Sequence, residues 1–454
     1  MAKRAWLNKK TMAHRPIGID LFSGAGGLSL GFEQAGFDIA AAVEIDPVHA
    51  VVHKFNFPEC AVIPRSVIGL SGHDIRNLAE IGDTPVDVVF GGPPCQGFSL
   101  IGQRVLDDPR NALVGEFVRI VNELGAPYFV FENVKGLTVG KHKRFLEELI
   151  DAFRAVGYRV RLPWRVLNAC NYGVPQDRER LFLLGAKEGL PLPEYPEPMT
   201  RPQNSKASLF NLPEGPSCRD AIGDLPNAEK FLELNESDSM FTDRWGKPSE
   251  YAQELRCLRA SAWYFGFRRH WQSGLLTSSM RTYHTDISRR RFTETAPGGV
   301  EPISRFFKLA ADGISNTLRA GTDSARGAFT SPRPIHYKYP RCITVREMAR
   351  FHGFPDWFRF HETKWHGARQ VGNAVAPPVG RVIANEIGKI MGVKPTRPTR
   401  ILNLGDSLLL RMDMSEAAEY WGIQIPIGRR DRRSGSKKRK QEEIELLRFA
   451  VVGG

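Results

Sequence analysis

Short apolar runs alternate with amphipathic stretches over the first 185 residues of the chain. The apolar runs predict strands at residues 17–22, 39–43, 86–90, 128–131 and 181–185. Between them, two stretches carry apolar residues three and four positions apart, which predicts helices at residues 111–124 and 142–156. The alternation predicts an α/β fold whose sheet is largely parallel and covered on both faces. Ligands of such sheets bind beyond the carboxyl ends of the strands.

The amino-acid composition and the hydrophobic pattern of the chain change at about residue 187. Five prolines lie between positions 191 and 202, and the following stretch is rich in Arg, aromatic residues, Gly, Ser and Thr without a clear period. We interpret this stretch as a second, smaller and irregular domain, and we expect helices again at residues 343–351 and 379–391. The expected division is a main domain at 16–186, the irregular domain at 187–340, a return to the main domain at 341–392, and basic extensions at 1–15 and 393–454. A plain amphipathic helix is expected at residues 414–422 in the last extension.

Charge and cysteine content narrow the class of protein. The 454 residues include 63 Lys and Arg against 50 Asp and Glu, a net charge of +13 that suggests a polyanionic partner such as nucleic acid. No apolar run approaches the roughly 20 residues that cross a bilayer, and no signal-peptide core follows the basic N-terminus. We therefore expect a cytoplasmic protein without membrane contact. The six cysteines are scattered with no CxxC pair, which argues against a zinc site or a disulfide framework, and we expect no metal.

A glycine-rich loop follows the first predicted strand. Residues 20–27 read DLFSGAGG and open a predicted helix, where small residues and free N–H groups let a ligand approach the backbone. A nicotinamide dinucleotide site would need glycine at position 29, where this chain has Ser29. Glu44, at the end of the next strand, is placed to bind two ribose hydroxyls. Because nucleoside cofactors of several kinds share these features, the loop alone leaves the cofactor open.

A cysteine stands in a stiff loop after another predicted strand. Residues 91–99 read GGPPCQGFS, with Cys95 at the centre. A cysteine is often simply a small buried apolar residue. Here the prolines stiffen the loop and the glycines remove bulk, which suits a nucleophile that must approach a flat substrate closely. For the other five cysteines, free thiols in a reducing compartment are the simplest interpretation.

Several segments, taken together, resemble the motifs of the DNA (cytosine-5)-methyltransferase family of the prokaryotic restriction–modification type. Residues 20–27 and 93–96 resemble its first and fourth motifs, and residues 132–134, 176–180 and 372–378 resemble its sixth, eighth and tenth. Residues 341–355 are similar to the ninth, so that the resemblance covers residues 16–390 in the family's order and spacing. It implies a Rossmann-like sheet that binds S-adenosylmethionine and a target-recognition domain at residues 187–340.

The resemblance also implies a covalent mechanism. Carbon 5 of cytosine is too electron-poor to accept a methyl group directly, and addition of the Cys95 thiolate at carbon 6 makes it nucleophilic. Glu132 would protonate or hydrogen-bond ring nitrogen 3. Arg178 and Arg180 would hold the base, with Arg180 closer to the carbonyl at position 2. We can name no side-chain base for the proton that leaves carbon 5.

The same resemblance assigns the cofactor contacts. Phe22 would lie against S-adenosylmethionine, Glu44 would bind its ribose and Asp74 with Ile75 its adenine. The remaining contacts would come from the glycine loop and from four scattered positions: Ser23, Gly24, Ala25, Gly26, Gly27, Ile45, Pro94, Leu113 and Asn373.

The implied substrate is duplex DNA. Cytosine inside a duplex is inaccessible, so the target base must be flipped out of the stack. Residues 317–319 and 321–322 resemble the part of the recognition domain closest to the groove. We expect a monomer, with a cognate restriction endonuclease that shares the site but forms no stable complex with it. Two alternatives stay open: an RNA cytosine-5 methyltransferase of the same family, and a DNA-binding relative that has lost its chemistry.

Overall fold

A central sheet of eight strands organises the protein. The computed structural model describes residues 15–94, 112–140, 142–202, 211–322 and 331–425. The sheet comprises β1 (Ile17–Leu21), β2 (Asp38–Val43), β3 (Ala61–Ile63), β4 (Val88–Gly91), β5 (Tyr128–Val134), β6 (Tyr158–Val160), β7 (Arg165–Asn168) and β8 (Glu179–Lys187).

The strand order is β3-β2-β1-β4-β5-β8-β6, and β7 also pairs with β8. Strands β1 to β5 are parallel, β8 runs antiparallel to β5, and β6 and β7 run antiparallel to β8. Leu21 lies opposite both Val43 and Gly91, so the carboxyl ends of β1, β2 and β4 meet at one edge. The predicted α/β fold is confirmed. Strands β3, β6 and β7 were not predicted, because three or four residues are too few to show a period.

A helix follows each of the first five strands. These are α1 (Gly27–Gln34), α2 (Pro47–Asn56), α3 (Gly72–Ala79), α4 (Ala112–Leu124) and α5 (His142–Ala155). Apolar residues of α3, α4 and α5 pack with one face of the sheet, and those of α1 pack with the other. The predicted covering of both faces is therefore observed.

The region from residue 187 to 340 contains short elements joined by long irregular stretches. Its described α-helices and strands are α6 (Cys218–Ile222), β9 (Met240–Phe241), α7 (Glu250–Leu255), β10 (Arg268–His270), β11 (Leu275–Leu276) and α8 (Asp286–Glu294). Strand β11 pairs with β9, whereas β10 pairs with β12 (Ile401–Asn403) far along the chain. The boundaries of the proposed domains stay a prediction.

Four helices lie in the last part of the described chain: α9 (Val345–His352), α10 (Lys364–Asn373), α11 (Pro377–Ile390) and α12 (Met414–Trp421). The predicted helices at 343–351, 379–391 and 414–422 correspond to α9, α11 and α12. Helix α11 returns to the sheet and packs on α1, where Gly31 lies against the backbone of Pro377 and Gly380. Among the helices that the structure describes, none has the length and apolar character needed to cross a bilayer.

Candidate active site

The glycine loop makes a tight turn between β1 and α1. Phe22, Gly24 and Gly26 have φ values of 62°, 54° and 103°, in the left-handed region. Gly26 is the N-cap of α1, and no side chain caps this helix. A Cβ at Gly27 would lie 2.3 Å from the carbonyl oxygen of Val375, so the loop needs glycine there. The free N–H groups at the start of α1 suit a polar or anionic ligand.

Glu44 fastens this loop to the end of β2. Its two carboxylate oxygens accept N–H bonds of 2.8 Å from Gly24 and Asp46. Burial raises the pKa of Glu44, and the nearby His49 opposes that shift. Beside it, the Ile45 side chain is 49% exposed, an unusual degree for isoleucine. The carboxylate and the exposed apolar side chain therefore stand together at the predicted ribose position.

The predicted adenine contacts lie at the start of α3. Asp74 Oδ2 accepts hydrogen bonds from the backbone and hydroxyl of Ser71, and these bonds lower the pKa of Asp74. The Ile75 side chain is buried in the core, and its N–H donates to the Ser71 carbonyl. Asp74 is thus available to a ligand at the edge of the helix, while the Ile75 side chain packs inside.

The remaining predicted cofactor residues fall into two groups. Ala25 is buried and Leu113 packs partly buried on α4 against the core. Pro94 and Asn373 are exposed, Asn373 as the last residue of α10. The hydroxyl of Ser23 is buried and has no hydrogen-bond partner among the described residues. A buried polar atom of this kind is normally paired, and a bound polar ligand would pair it.

The cysteine loop starts against the carboxylate of Glu132. A Cβ at Gly92 would lie 2.5 Å from Glu132 Oε2, so the carboxylate rests on the backbone of the loop. Asn133 Nδ2 donates to the Pro93 carbonyl at 3.0 Å and holds the next residue. Cys95 itself lies outside the described residues, as do residues 96–111.

Glu132 and Arg180 form a partly buried ion pair across β5 and β8. Arg180 Nε lies 3.1 Å from Glu132 Oε1, and the two side chains are 17% and 13% exposed. Burial raises the pKa of Glu132, and the charges of Arg180 and Arg178 partly offset this. Glu132 therefore keeps its proton to higher pH than a solvated glutamate does, which suits a proton donor.

The structure does not bring the Arg178 guanidinium to the surface of the site. The residue is 1% exposed, and its Nη atoms donate to the carbonyls of Leu318, Gly372 and Ala374 at 2.9–3.0 Å. The guanidinium thus joins the segment before β8 to two distant parts of the chain.

One buried acidic residue near the site, Asp20, was not predicted from the sequence as a site residue. Asp20 on β1 accepts a 2.6 Å hydrogen bond from the Ser29 hydroxyl, and burial raises the pKa of Asp20 to about 8. Ser29, whose presence argues against a dinucleotide site, therefore serves the carboxyl group beneath the glycine loop. In the sequence, Asp20 could have been recognised as a candidate because it is an acidic residue within an otherwise apolar predicted strand.

Taken together, the described residues fit S-adenosylmethionine. An uncapped helix start, an unpaired buried hydroxyl at Ser23, a carboxylate at Glu44 and another at Asp74 surround the carboxyl edge of β1, β2 and β3. The positively charged sulfonium and the amino-acid end of the cofactor are compatible with this set of donors and acceptors.

Comparisons with known proteins agree with this geometry. The family model described as C-5 cytosine-specific DNA methylase matches residues 18–389. The chain is 55% identical over 435 residues to the Type II methyltransferase M.XorII of Xanthomonas oryzae pv. oryzae, covering 95% of this chain and 99% of that protein. It is 32% identical to the Type II methyltransferase M1.HphI of Haemophilus parahaemolyticus, covering 82% and 86% of the two chains.

A solved structure shares the fold. A protein described as a DNA modification methyltransferase encoded within an E. coli prophage superposes with a TM-score of 0.66 at 32% identity, covering 83% of this chain and 99% of that one. Since the family model matches most of the chain and a relative matches nearly all of it, this protein belongs to the C-5 cytosine-specific DNA methylases, the enzymes that use S-adenosylmethionine as methyl donor.

Proposed function

We propose that Cys95, Glu132 and Arg180 form the catalytic centre with which this methyltransferase acts on a cytosine flipped out of duplex DNA. One observation carries the assignment of Glu132 and Arg180. Their ion pair lies directly against Gly92, three residues before the cysteine, at the carboxyl edge of the sheet. A buried carboxylate with a raised pKa beside a fixed cation suits protonation of a pyrimidine ring.

The proposed chemistry begins with the thiolate. Cys95 adds to carbon 6 of the cytosine while Glu132 gives a proton or a hydrogen bond to nitrogen 3, so that charge does not accumulate on the ring. Arg180 orients the base through the carbonyl at position 2. After methylation, the proton on carbon 5 leaves and Cys95 is expelled. Among the described residues we assign no side chain to that last proton.

S-adenosylmethionine, when bound, supplies the electrophilic methyl group. We assign its amino-acid end to residues 23–27, its ribose to Glu44 and its adenine to Asp74. Phe22, Ile45, Pro94, Leu113 and Asn373 would complete the walls of this site. Ile75 would act through its place at the start of α3 rather than through its buried side chain.

The wider biological setting is also proposed. The relatives M.XorII and M1.HphI are Type II methyltransferases, which supports a role for this chain in a restriction–modification system. Residues 187–340 would read the target sequence. The cognate endonuclease would share the site without a stable complex, and the enzyme would act as a monomer on cytoplasmic DNA.

The function and the role of Glu132 can be tested together. The protein is incubated with labelled S-adenosylmethionine and either duplex DNA or RNA, and 5-methylcytosine is quantified. We expect label in DNA, and Glu132→Gln should lower turnover by about 10²–10⁴-fold because an amide cannot give up a proton. DNA affinity should persist.

Asp151→Asn serves as the matched control, since this exposed acid on α5 pairs with Arg154 at the surface. Labelling of RNA alone would contradict the assignment of DNA as substrate. Unchanged turnover in Glu132→Gln would remove Glu132 from its role.

A further inference from the structure

Two distant segments run side by side next to the catalytic pair. Residues 175–180 lead into β8, and we call residues 315–320 the recognition-side segment. Ser315 N–H donates to the Pro175 carbonyl at 2.9 Å, and Asp177 N–H donates to the Ser315 carbonyl at 2.8 Å. The Thr317 hydroxyl adds a 2.6 Å bond to the Asp177 carbonyl. The end of the irregular region is thus fastened to the strand that carries Arg180.

The backbone N–H and carbonyl of Leu318 are both hydrogen-bonded to buried side chains of residues 175–180. Its N–H donates to Gln176 Oε1 at 3.1 Å, and its carbonyl accepts from Arg178 Nη1 at 3.0 Å. The Leu318 side chain is 1% exposed, whereas Arg319 beside it faces solvent. A contact between DNA and Arg319 would therefore act on a backbone that Gln176 and Arg178 already hold.

The same two side chains reach a third part of the chain. Gln176 Nε2 donates to the Phe351 carbonyl at 2.9 Å, and Arg178 Nη2 donates to the carbonyls of Gly372 and Ala374. A Cβ at Gly372 would lie 2.4 Å from Ala320 N, so these backbones are in direct contact. Residues 374 and 375 in turn lie against Gly27 of the glycine loop.

We propose that Gln176 and Arg178 are positioning residues that couple the recognition-side segment to the catalytic pair of Glu132 and Arg180. The inference rests on the proposed function, and it gives Arg178 a task other than direct contact with the base. Binding of the correct DNA sequence would set residues 315–320, and Arg178 would transmit their position to Arg180, two residues further along the chain. Substitution at Arg178 should then reduce sequence discrimination as well as rate.

The test compares two duplexes. The target site is first found by sequencing DNA methylated by the wild-type protein, and a second duplex then replaces one base pair of the site other than the target cytosine. Arg178→Lys keeps the charge but cannot span Leu318 and Ala374 together. We expect a loss of about 10²-fold in kcat on the correct site, from misplacement of Arg180. On the altered site the loss should be about tenfold smaller, and saturating S-adenosylmethionine in both assays keeps any change in cofactor affinity out of the kcat values.

The matched control is Arg165→Lys, a half-exposed arginine on the neighbouring strand β7, which should keep the wild-type ratio. If Arg178→Lys loses the same factor on both duplexes, with discrimination unchanged, Arg178 does not couple the recognition-side segment to the catalytic pair and the proposal is contradicted. If the wild-type protein transfers no methyl group to DNA, the proposed function fails and the coupling fails with it.

A milder variant covers the case in which Arg178→Lys has lost its fold, as judged by its denaturant unfolding curve. Thr317→Val removes one bond at a partly exposed position. We expect it to lower discrimination by about threefold, within the range of a single hydrogen bond, and Thr317→Ser should lose less. Unchanged discrimination in Thr317→Val would overturn the proposal.

Discussion

At the scale of single residues, the site depends on close contacts that leave no space for a larger side chain. Gly92 touches the Glu132 carboxylate, and Asn133 holds the Pro93 carbonyl. The position of Glu132 is therefore set by Gly92 of the loop that precedes Cys95 as well as by its own strand. This arrangement lets a small change in the loop move the Glu132 carboxylate without disturbing the core.

Gly92→Ala tests this contact. The new methyl group would push the flexible Glu132 carboxylate aside at little cost in stability, and we expect kcat to fall by about 10²-fold from misplacement. The free energy of unfolding of the variant should lie within about 1 kcal/mol of the wild-type value, because the carboxylate can move. Steady-state methylation and denaturant unfolding measure the two effects.

Gly115→Ala is the control for this substitution. It lies exposed on α4, and a Cβ there meets no described atom within 4 Å. Activity in Gly115→Ala should match the wild type. An active Gly92→Ala variant would show that the contact does not position Glu132.

Asp20 predicts a dependence of stability on pH. Its pKa is raised to about 8 in the folded protein, above the value near 3.9 of an unfolded chain. Between these values the unfolded state releases the proton that the folded state keeps, so this group's contribution to stability falls as pH rises and levels off above about 8. Asp20→Asn should remove that contribution.

The melting temperatures of the wild type and Asp20→Asn, followed from pH 5 to 9, measure the effect. The difference between them should shift in favour of the variant as the pH rises to about 8 and then stay constant. A difference that does not change with pH would mean that Asp20 is ionised in the folded protein throughout.

At the scale of elements, the close contact of α1 and α11 holds the glycine loop in place. A Cβ at Gly31 would lie 2.7 Å from the Pro377 carbonyl oxygen and 2.7 Å from Arg381 N, both backbone atoms. Helix backbone atoms cannot move away as the tip of a flexible side chain can. The two helices therefore need glycine at position 31. Helix α11 begins just after Ala374 and Val375, which contact Gly27 of the loop.

Gly31→Ala should therefore force the helices apart and lower the free energy of unfolding by about 1–3 kcal/mol. S-adenosylmethionine should bind more weakly, since the glycine loop ends at the start of α1. Gly388→Ala, on α11 with no described atom within 4 Å of the new Cβ, is the control and should be stabilised by about 0.5–1 kcal/mol. Equal stability of the two variants would rule out a tight contact at Gly31.

The long, periodic elements could be predicted from the sequence, and the short ones could not. Helices α4, α5, α9 and α11 lie within two residues of their expected bounds in the described chain. Strand β3 has three residues and β7 has four, so their pairing with β2 and β8 depends on neighbours that local pattern does not show. The pairing of β10 with β12 joins residues far apart in sequence and could not be predicted from local pattern either.

The site follows the same rule. Glu44 could be predicted from its position at the end of a predicted strand, whereas Glu132 and Arg180 were predicted from the resemblance to the family motifs. The burial of Arg178 could not be predicted, because its three carbonyl partners lie at residues 318, 372 and 374. Sequence spacing identifies which residues are near a strand end, whereas only the packing shows which way a side chain points.

At the scale of the whole molecule, buried contacts join the cofactor side to the later part of the chain. Glu33 on α1 pairs with Arg269 on β10 at 2.7 Å, with both side chains buried. One hydrophobic cluster contains residues of α2 together with residues of α9, α10 and α12. Helices α1 and α2 on the cofactor side are therefore packed against the irregular region and the last helices of the described chain.

The central claim is that Cys95 attacks a cytosine in DNA, and trapping the covalent adduct tests it most directly. Duplex DNA carrying 5-fluorocytosine is incubated with S-adenosylmethionine and the protein, because fluorine cannot leave carbon 5 as a proton does. We predict that the wild-type protein forms a complex stable to denaturation and that Cys95→Ala forms none. A wild-type protein that methylates ordinary DNA without forming this complex, or a Cys95→Ala variant that still forms it, would contradict the account.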